Sequence, residues 1–123
     1  IRPTSTVGEH SKVGNFVELK NATLGHHTNA SHLSYLGDCT LGNDCNIGAV
    51  TVMANYNHFT HEKFRTTLGN HVATGSLTTL VAPVTVGNDV YIGAGTTVRE
   101  NIPNNALAVT KAELHIKPNY RKK

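Results

Sequence analysis

The chain has 123 residues, a formal net charge of +3 with histidine neutral, 38% hydrophobic residues and 11 glycines. That length bounds it to one domain with a narrow core, and no stretch approaches the ~20 apolar residues of a membrane span. The positive charge lies largely in the tail KPNYRKK, so neither a basic nucleic-acid face nor membrane insertion is expected; no secretory leader is legible, and the expected compartment is the cytoplasm.

In chain order, aliphatic or threonine residues recur every six places: Ile1, Val7, Val13, Leu19, Leu24, Ala30, Leu36, Leu41, Ile47, Met53, Leu68, Thr74, Leu80, Val86, Ile92 and Val98. Two steps are five residues long and one is fifteen. Ten of the eleven glycines stand one place after such a residue. Four places after each, Met53 aside, comes a small or β-branched residue, such as Ser11, Thr23, Thr28, Thr40, Cys45, Thr96 and Ile102, expected to point inward. A six-residue unit with one large and one small inward position buries its apolar side only by stacking on copies of itself. The period therefore predicts an all-β fold, a parallel β-helix of hexapeptide repeats with three hexads to a triangular coil and about five coils. Glycine is expected to relieve the backbone at the corners. Left-handed coiling is taken from known hexapeptide helices, against the usual right-handed crossover.

Counting in threes places Ile1, Leu19, Leu36, Met53, Leu80 and Val98 on a first face. Val7, Leu24, Leu41, Leu68 and Val86 found the second face, and Val13, Ala30, Ile47, Thr74 and Ile92 the third. Both short steps and the long insertion then fall at one corner. The insertion, 54–67 or ANYNHFTHEKFRTT, is expected to be an extruded loop of the kind that carries binding residues. Pro103 breaks the pattern, so the β-helix is expected over 1–102 and a C-terminal extension with a basic tail over 103–123. The chain opens at Ile1 in full register and without methionine, which reads as a piece of something longer with coils upstream. Thinly covered flat faces point to an oligomer. Cys39 and Cys45 show neither a disulfide framework nor a zinc spacing.

Two columns stand out for chemistry. On the first face Arg2 and Lys20 occupy the same place in consecutive coils; coils ~4.8 Å apart would stack the two cations around one anion such as a phosphate, or leave them as solvated surface charges. On the third face His32, Ala49, Ser76 and Ala94 follow one another down the axis for ~14 Å. Small residues leave room there for an extended ligand, with a proton acceptor at one end; equally, they are common at exposed turns. No metal is expected: His27 and His32 lack a third ligand, and His58 and His61 sit in a loop without a partner.

The strings GNFVELKNATLG, SHLSYLGDCTLGNDCNIGAVT, NYN, LVAPVTVG, IGAGTTV and NNALAV resemble the acetyltransferase domain of the bacterial bifunctional N-acetylglucosamine-1-phosphate uridyltransferase and glucosamine-1-phosphate N-acetyltransferase. The resemblance spans about Ile1 to Lys111. It implies a homotrimeric left-handed β-helix with sites between subunits. It further implies acetyl transfer from acetyl-CoA to the amine of glucosamine 1-phosphate, without an acyl-enzyme or a metal. Carried over by motif, His32 becomes the general base, and Arg2, Lys20, Tyr35, Asn46 and the loop residue Lys63 hold the sugar phosphate. Ala49, Asn55, Tyr56, Ser76, Ala94 and Lys111 line the coenzyme, with backbone or amide donors near Asn55 available to an oxyanion. The chain departs from the family at Val50, where GAVT replaces GAGT, and at Lys111, which replaces an arginine and loses its bidentate fork. An enzyme for another amino sugar and a catalytically inert trimerisation module are the alternatives.

Overall fold

A computed structural model describes residues 1–121, so Lys122 and Lys123, the last cations of the basic tail, lie outside the described residues. Parallel strands stack as a β-solenoid of about six turns, with no helix among the described residues. The pairing follows the hexad count column by column. On the second face Val7 pairs with Leu24, Leu24 with Leu41, Leu41 with Leu68 and Leu68 with Val86. The third face runs from Val13 through Ala30, Ile47, Thr74 and Ile92. Leu19 lies on Leu36, Met53 on Leu80, and Leu80 on Val98, down the first. These columns make one continuous core in which Leu19, Leu36, Met53 and Leu80 are fully buried.

Three details differ from the sequence expectation. In the two five-residue coils the strands Glu18–Leu24 and Tyr35–Leu41 run unbroken over two faces. With one residue fewer before the next large residue, the small inward slot moves one place earlier. Ala22 and Cys39 fill it, both fully buried, while Thr23 and Thr40 turn outward. Second, the ladder does not stop at Ile102. That residue bridges to Val86 as a second-face position, and Leu107–Ala108 pairs with Tyr91–Ile92 on the third. The step from Val98 to Ile102 is four residues, which the small-slot count had concealed. Leu114, the next position at a spacing of six, is 85% exposed and carries no strand.

Third, the glycines are explained by close approach. Left-handed backbone occurs instead at non-glycine corner residues, among them Phe16 (φ 60°), Leu33 (φ 42°), Val50 (φ 59°) and Leu77 (φ 59°). Gly95 is the one glycine with positive φ. At most of the others the glycine lies against the next coil, as at Gly25, where a Cβ would stand 2.6 Å from the Gly42 carbonyl oxygen; Gly37 lies instead under the Tyr35 ring and Gly93 against the Val109 side chain.

Inside the corners, hydroxyls link the coils. Thr28 Oγ1 donates to the Gly42 carbonyl (2.7 Å) and accepts the Cys45 N–H (3.2 Å). At the outer second corner, side chains accept backbone N–H groups one coil earlier. Asn43 Oδ1 takes His26 N–H, Asn70 Oδ1 takes Asn43 N–H, Asn88 Oδ1 takes Asn70 N–H and Asn104 Oδ1 takes Asn88 N–H, all at 2.7–2.8 Å. A corner donor that a strand ladder leaves over is thus satisfied by an asparagine.

The insertion is a β-hairpin. Tyr56–Asn57 pairs antiparallel with Glu62–Lys63, and Asn57 Oδ1 accepts the Phe59 and Thr60 N–H groups in the turn. Arg65 anchors its return, donating to the carbonyls of Cys39 (2.8 Å) and Asn21 (3.1 Å) and to Thr40 Oγ1 (3.0 Å).

Candidate active site

The first face carries a group of interest along each of its edges. At the edge where the third face turns into it, the residue two places after the large one is His32, then Ala49, Ser76 and Ala94 in successive coils, as the ladder register requires. The His32 ring is exposed at the end of the strand Asn29–His32. The carbonyls of Ala49 and Ser76 accept N–H groups from the next coil, from Leu77 and Gly95. Among the described residues, the N–H groups of Ala49, Ser76 and Ala94 have no backbone partner. At the second corner the equivalent donors are capped by asparagine. Here the side chains are too short to cap, which leaves these donors in a row along the surface of the corner, one coil spacing (~4.8 Å) apart. Such a row fits the amides and carbonyls of an extended acyl carrier, and the small side chains allow it to approach.

At the other edge, where the short steps and the hairpin meet, polar groups converge on one carboxylate. Asp38 is 8% exposed. It accepts from Asn55 Nδ2 at 2.7 Å and from Asn21 Nδ2 at 2.9 Å. Burial pushes its carboxyl up, but the Asn21 and Asn55 amides and the Lys63 and Lys20 ammoniums outweigh that and hold it below the usual carboxylate value. Asn55 Nδ2 also lies 3.3 Å from the Tyr35 hydroxyl. Tyr35 reaches it by lying across Gly37, where a Cβ would come 2.5 Å from the ring carbon Cζ.

The chain therefore brings Lys20, Tyr35, Asn55 and Lys63 together around Asp38. His32, Ala49, Ser76 and Ala94 lie along the opposite edge, about 10 Å away across a face some three residues wide. Arg2 stands on the first face with its Nε 3.2 Å from Glu18 Oε2. Asn46 points outward on the third face beside Asn29. The Tyr56 hydroxyl is engaged with His61 Nδ1 at 2.8 Å, and Lys111 is exposed in the extension. Asn55 cannot lend its amide N–H to an oxyanion, because both amide hydrogens are taken up by Asp38 and Tyr35. A concavity at the open C-terminal end, lined by Thr96, Val98, Arg99, Glu100, Ile102 and Ala108, contains none of these residues.

Sequence reasoning passed over Asp38, Asn21 and Arg65. The available signal was the pair of five-residue steps, since each moves a polar residue to the corner with positive φ, Asn21 and Asp38 both at 49°.

Comparison with known proteins bears on what these edges serve. Residues 65–100 match the bacterial transferase hexapeptide family. Over all 123 residues the chain is 50% identical to the bifunctional protein GlmU of Trichormus variabilis. The chain aligns with the C-terminal region of bifunctional GlmU. It spans 27% of the length of that relative. Among solved structures it resembles a perosamine N-acetyltransferase mutant from Caulobacter crescentus in complex with CoA and GDP-perosamine. There the TM-score is 0.74 at 21% identity, over 89% of this chain and 49% of that one. A hexapeptide-repeat acetyltransferase of Vibrio cholerae with bound acetyl coenzyme A gives a TM-score of 0.75 at 17% identity, over 87% of this chain and 66% of that one. These two likenesses are of fold; the GlmU alignment is of sequence and covers both edges of the first face.

Proposed function

We propose that the chain transfers the acetyl group of acetyl-CoA to the amine of glucosamine 1-phosphate, giving N-acetylglucosamine 1-phosphate, and that it does so as a homotrimer in the cytoplasm. The observation that carries this reading is the exposed imidazole of His32 at the head of a corner column in which, among the described residues, the N–H groups of Ala49, Ser76 and Ala94 have no backbone partner. The choice of acceptor rests on the 50% identity to a GlmU protein along the whole chain.

In this reading the N–H groups of Ala49, Ser76 and Ala94 hold the coenzyme arm along their edge, so that the thioester lies near His32. An ammonium is no nucleophile until it has lost a proton to solvent; as the free amine bonds to the acyl carbon, His32 takes the next proton from that nitrogen, and the C–S bond breaks with the thiolate protonated by the imidazolium. Holding amine and thioester together removes a further entropic part of the barrier. Lys20 and Lys63, offset by the single charge of Asp38, leave one net positive charge for the sugar phosphate, with Tyr35, Asn46 and Arg2 beside it. Arg2 is available because its exposed pair with Glu18 is worth under ~1 kcal/mol. Because one protomer keeps His32 and the Lys20–Lys63 cluster at opposite edges, a neighbouring protomer completes the site, and Tyr56 and Lys111 act across that boundary.

The test is thiol release from acetyl-CoA with and without glucosamine 1-phosphate. Sugar-dependent release is expected, falling about 100- to 10,000-fold in His32→Ala with folding intact. Release that ignores the sugar, or a His32→Ala protein as fast as the parent, refutes the reading.

A further inference from the structure

The transfer chemistry above uses one buried charged group, Asp38, only to offset two lysines. Asp38 lies at the corner where the first face turns into the second, almost wholly out of solvent, and bonds to two amides from neighbouring coils. A buried carboxylate costs folding free energy unless its hydrogen bonds are good. Here they are, and their geometry has a consequence. An ionised carboxylate only accepts hydrogen bonds. Asn55, 2.7 Å from Asp38 Oδ2, must therefore present its Nδ2 end to it, and the second hydrogen of that nitrogen points to the Tyr35 hydroxyl at 3.3 Å.

Asn55 Oδ1 is what remains. Among the described residues it has no hydrogen-bond partner, yet it is not one of the sealed, unpartnered atoms, which are Thr66 Oγ1 and Thr96 Oγ1. A residue 8% exposed thus offers its one free polar atom to the outside. Lys20 and Lys63 flank the same carboxylate closely enough to draw its ionisation down. Asn21 closes the other side, so Asp38 keeps a single arrangement.

We propose that Asp38 is a positioning residue of the transfer site: its carboxylate locks the Asn55 amide so that Oδ1 is held out as an acceptor for an N–H or O–H of the amino sugar, between the ammoniums of Lys20 and Lys63. The assignment rests on the transferase reading. Asp38 touches no substrate; it acts through Asn55 and the two lysines. In Asp38→Asn the new amide both donates and accepts, so Asn55 fits it in either orientation and Oδ1 loses its fixed place.

The experiment is steady-state kinetics on the full chain, for Asp38→Asn, Asn55→Ala and the double variant, with the Asn55 side-chain amide followed by 1H–15N NMR. In Asp38→Asn, kcat/KM for glucosamine 1-phosphate is expected to fall about tenfold or more, which is the loss of one charge-assisted hydrogen bond. KM for acetyl-CoA is expected to change much less, because the coenzyme arm is held chiefly by the N–H groups of Ala49, Ser76 and Ala94. The double variant should be no worse than Asn55→Ala alone, and the Asn55 amide resonance should move in Asp38→Asn. Unchanged sugar kinetics in Asp38→Asn, equal losses for both substrates, or additive losses in the double variant overturn the assignment. If the parent chain transfers no acetyl group, the function is wrong. The locking of Asn55 is then decided by the NMR arm, where an unmoved resonance overturns it and a displaced one upholds it.

Discussion

Gly25→Ala and Gly95→Ala together separate two reasons for glycine in this fold. Gly25 does not have left-handed backbone; its neighbour in space is the next coil, whose Gly42 carbonyl oxygen and carbon would lie 2.6 and 2.7 Å from an added Cβ. An ordinary C···O contact needs ~3.3 Å, so the coils must part by roughly 0.7 Å. Overpacking of that kind costs about 1–3 kcal/mol. The displacement also loosens the bonds from Gly25 N–H to Leu41 (2.9 Å) and from His26 N–H to Asn43 (2.8 Å), worth about 1 kcal/mol each. The sum is about 3–5 kcal/mol, a large share of a typical domain's stability. Gly95 has φ 73° and nothing within 4 Å of a built Cβ, so alanine there meets only the left-handed penalty of about 1–2 kcal/mol. Urea unfolding by far-UV circular dichroism, at one protein concentration so that oligomerisation is held fixed, measures both. A Gly25→Ala protein within ~1 kcal/mol of the parent, or a costlier Gly95→Ala, refutes close approach as the reason for Gly25.

Asn70→Ala removes the acceptor of the Asn43 N–H in the corner ladder; a loss of about 1 kcal/mol in the same unfolding experiment is expected, and an unchanged urea midpoint contradicts it. Ser76→Leu adds bulk to the row of donors at an exposed corner, so calorimetry should find acetyl-CoA affinity lowered more than tenfold while the melting temperature holds; wild-type affinity means that the row is not the coenzyme's path. For pH, the Asp38 carboxyl lies below its usual value when folded. Its contribution is thus present above the unfolded value of about 4 and is lost as pH falls through the lowered native one. The acid limb of stability should therefore be shallower in Asp38→Asn than in the parent, and superimposable limbs count against the buried carboxylate.

Much of this molecule is legible in sequence because each hexad interacts mainly with the hexads directly above and below it. The order Leu19, Leu36, Met53, Leu80, Val98 down one face needs only counting, and the ladder pairs these residues as counted. The column His32, Ala49, Ser76, Ala94 is legible for the same reason, and the structure adds that, among the described residues, the N–H groups of Ala49, Ser76 and Ala94 lack backbone partners. What counting misses is what happens when the period slips. A coil short by one residue moves the inward slot from Thr23 to Ala22 and from Thr40 to Cys39, and a four-residue step turns Ile102 into a second-face residue. Asp38 reads in sequence as a surface aspartate after a glycine. Its burial depends on Asn21 from the coil before and on Asn55 and Lys63 from the hairpin, partners 17 or more residues away. The sequence alone determined the period, and with it the columns and the core, because stacking is a nearest-neighbour interaction. Only the tertiary structure decided which corner donors stay free and which carboxylate is buried, because those depend on how side chains from separate coils and the hairpin meet at a corner.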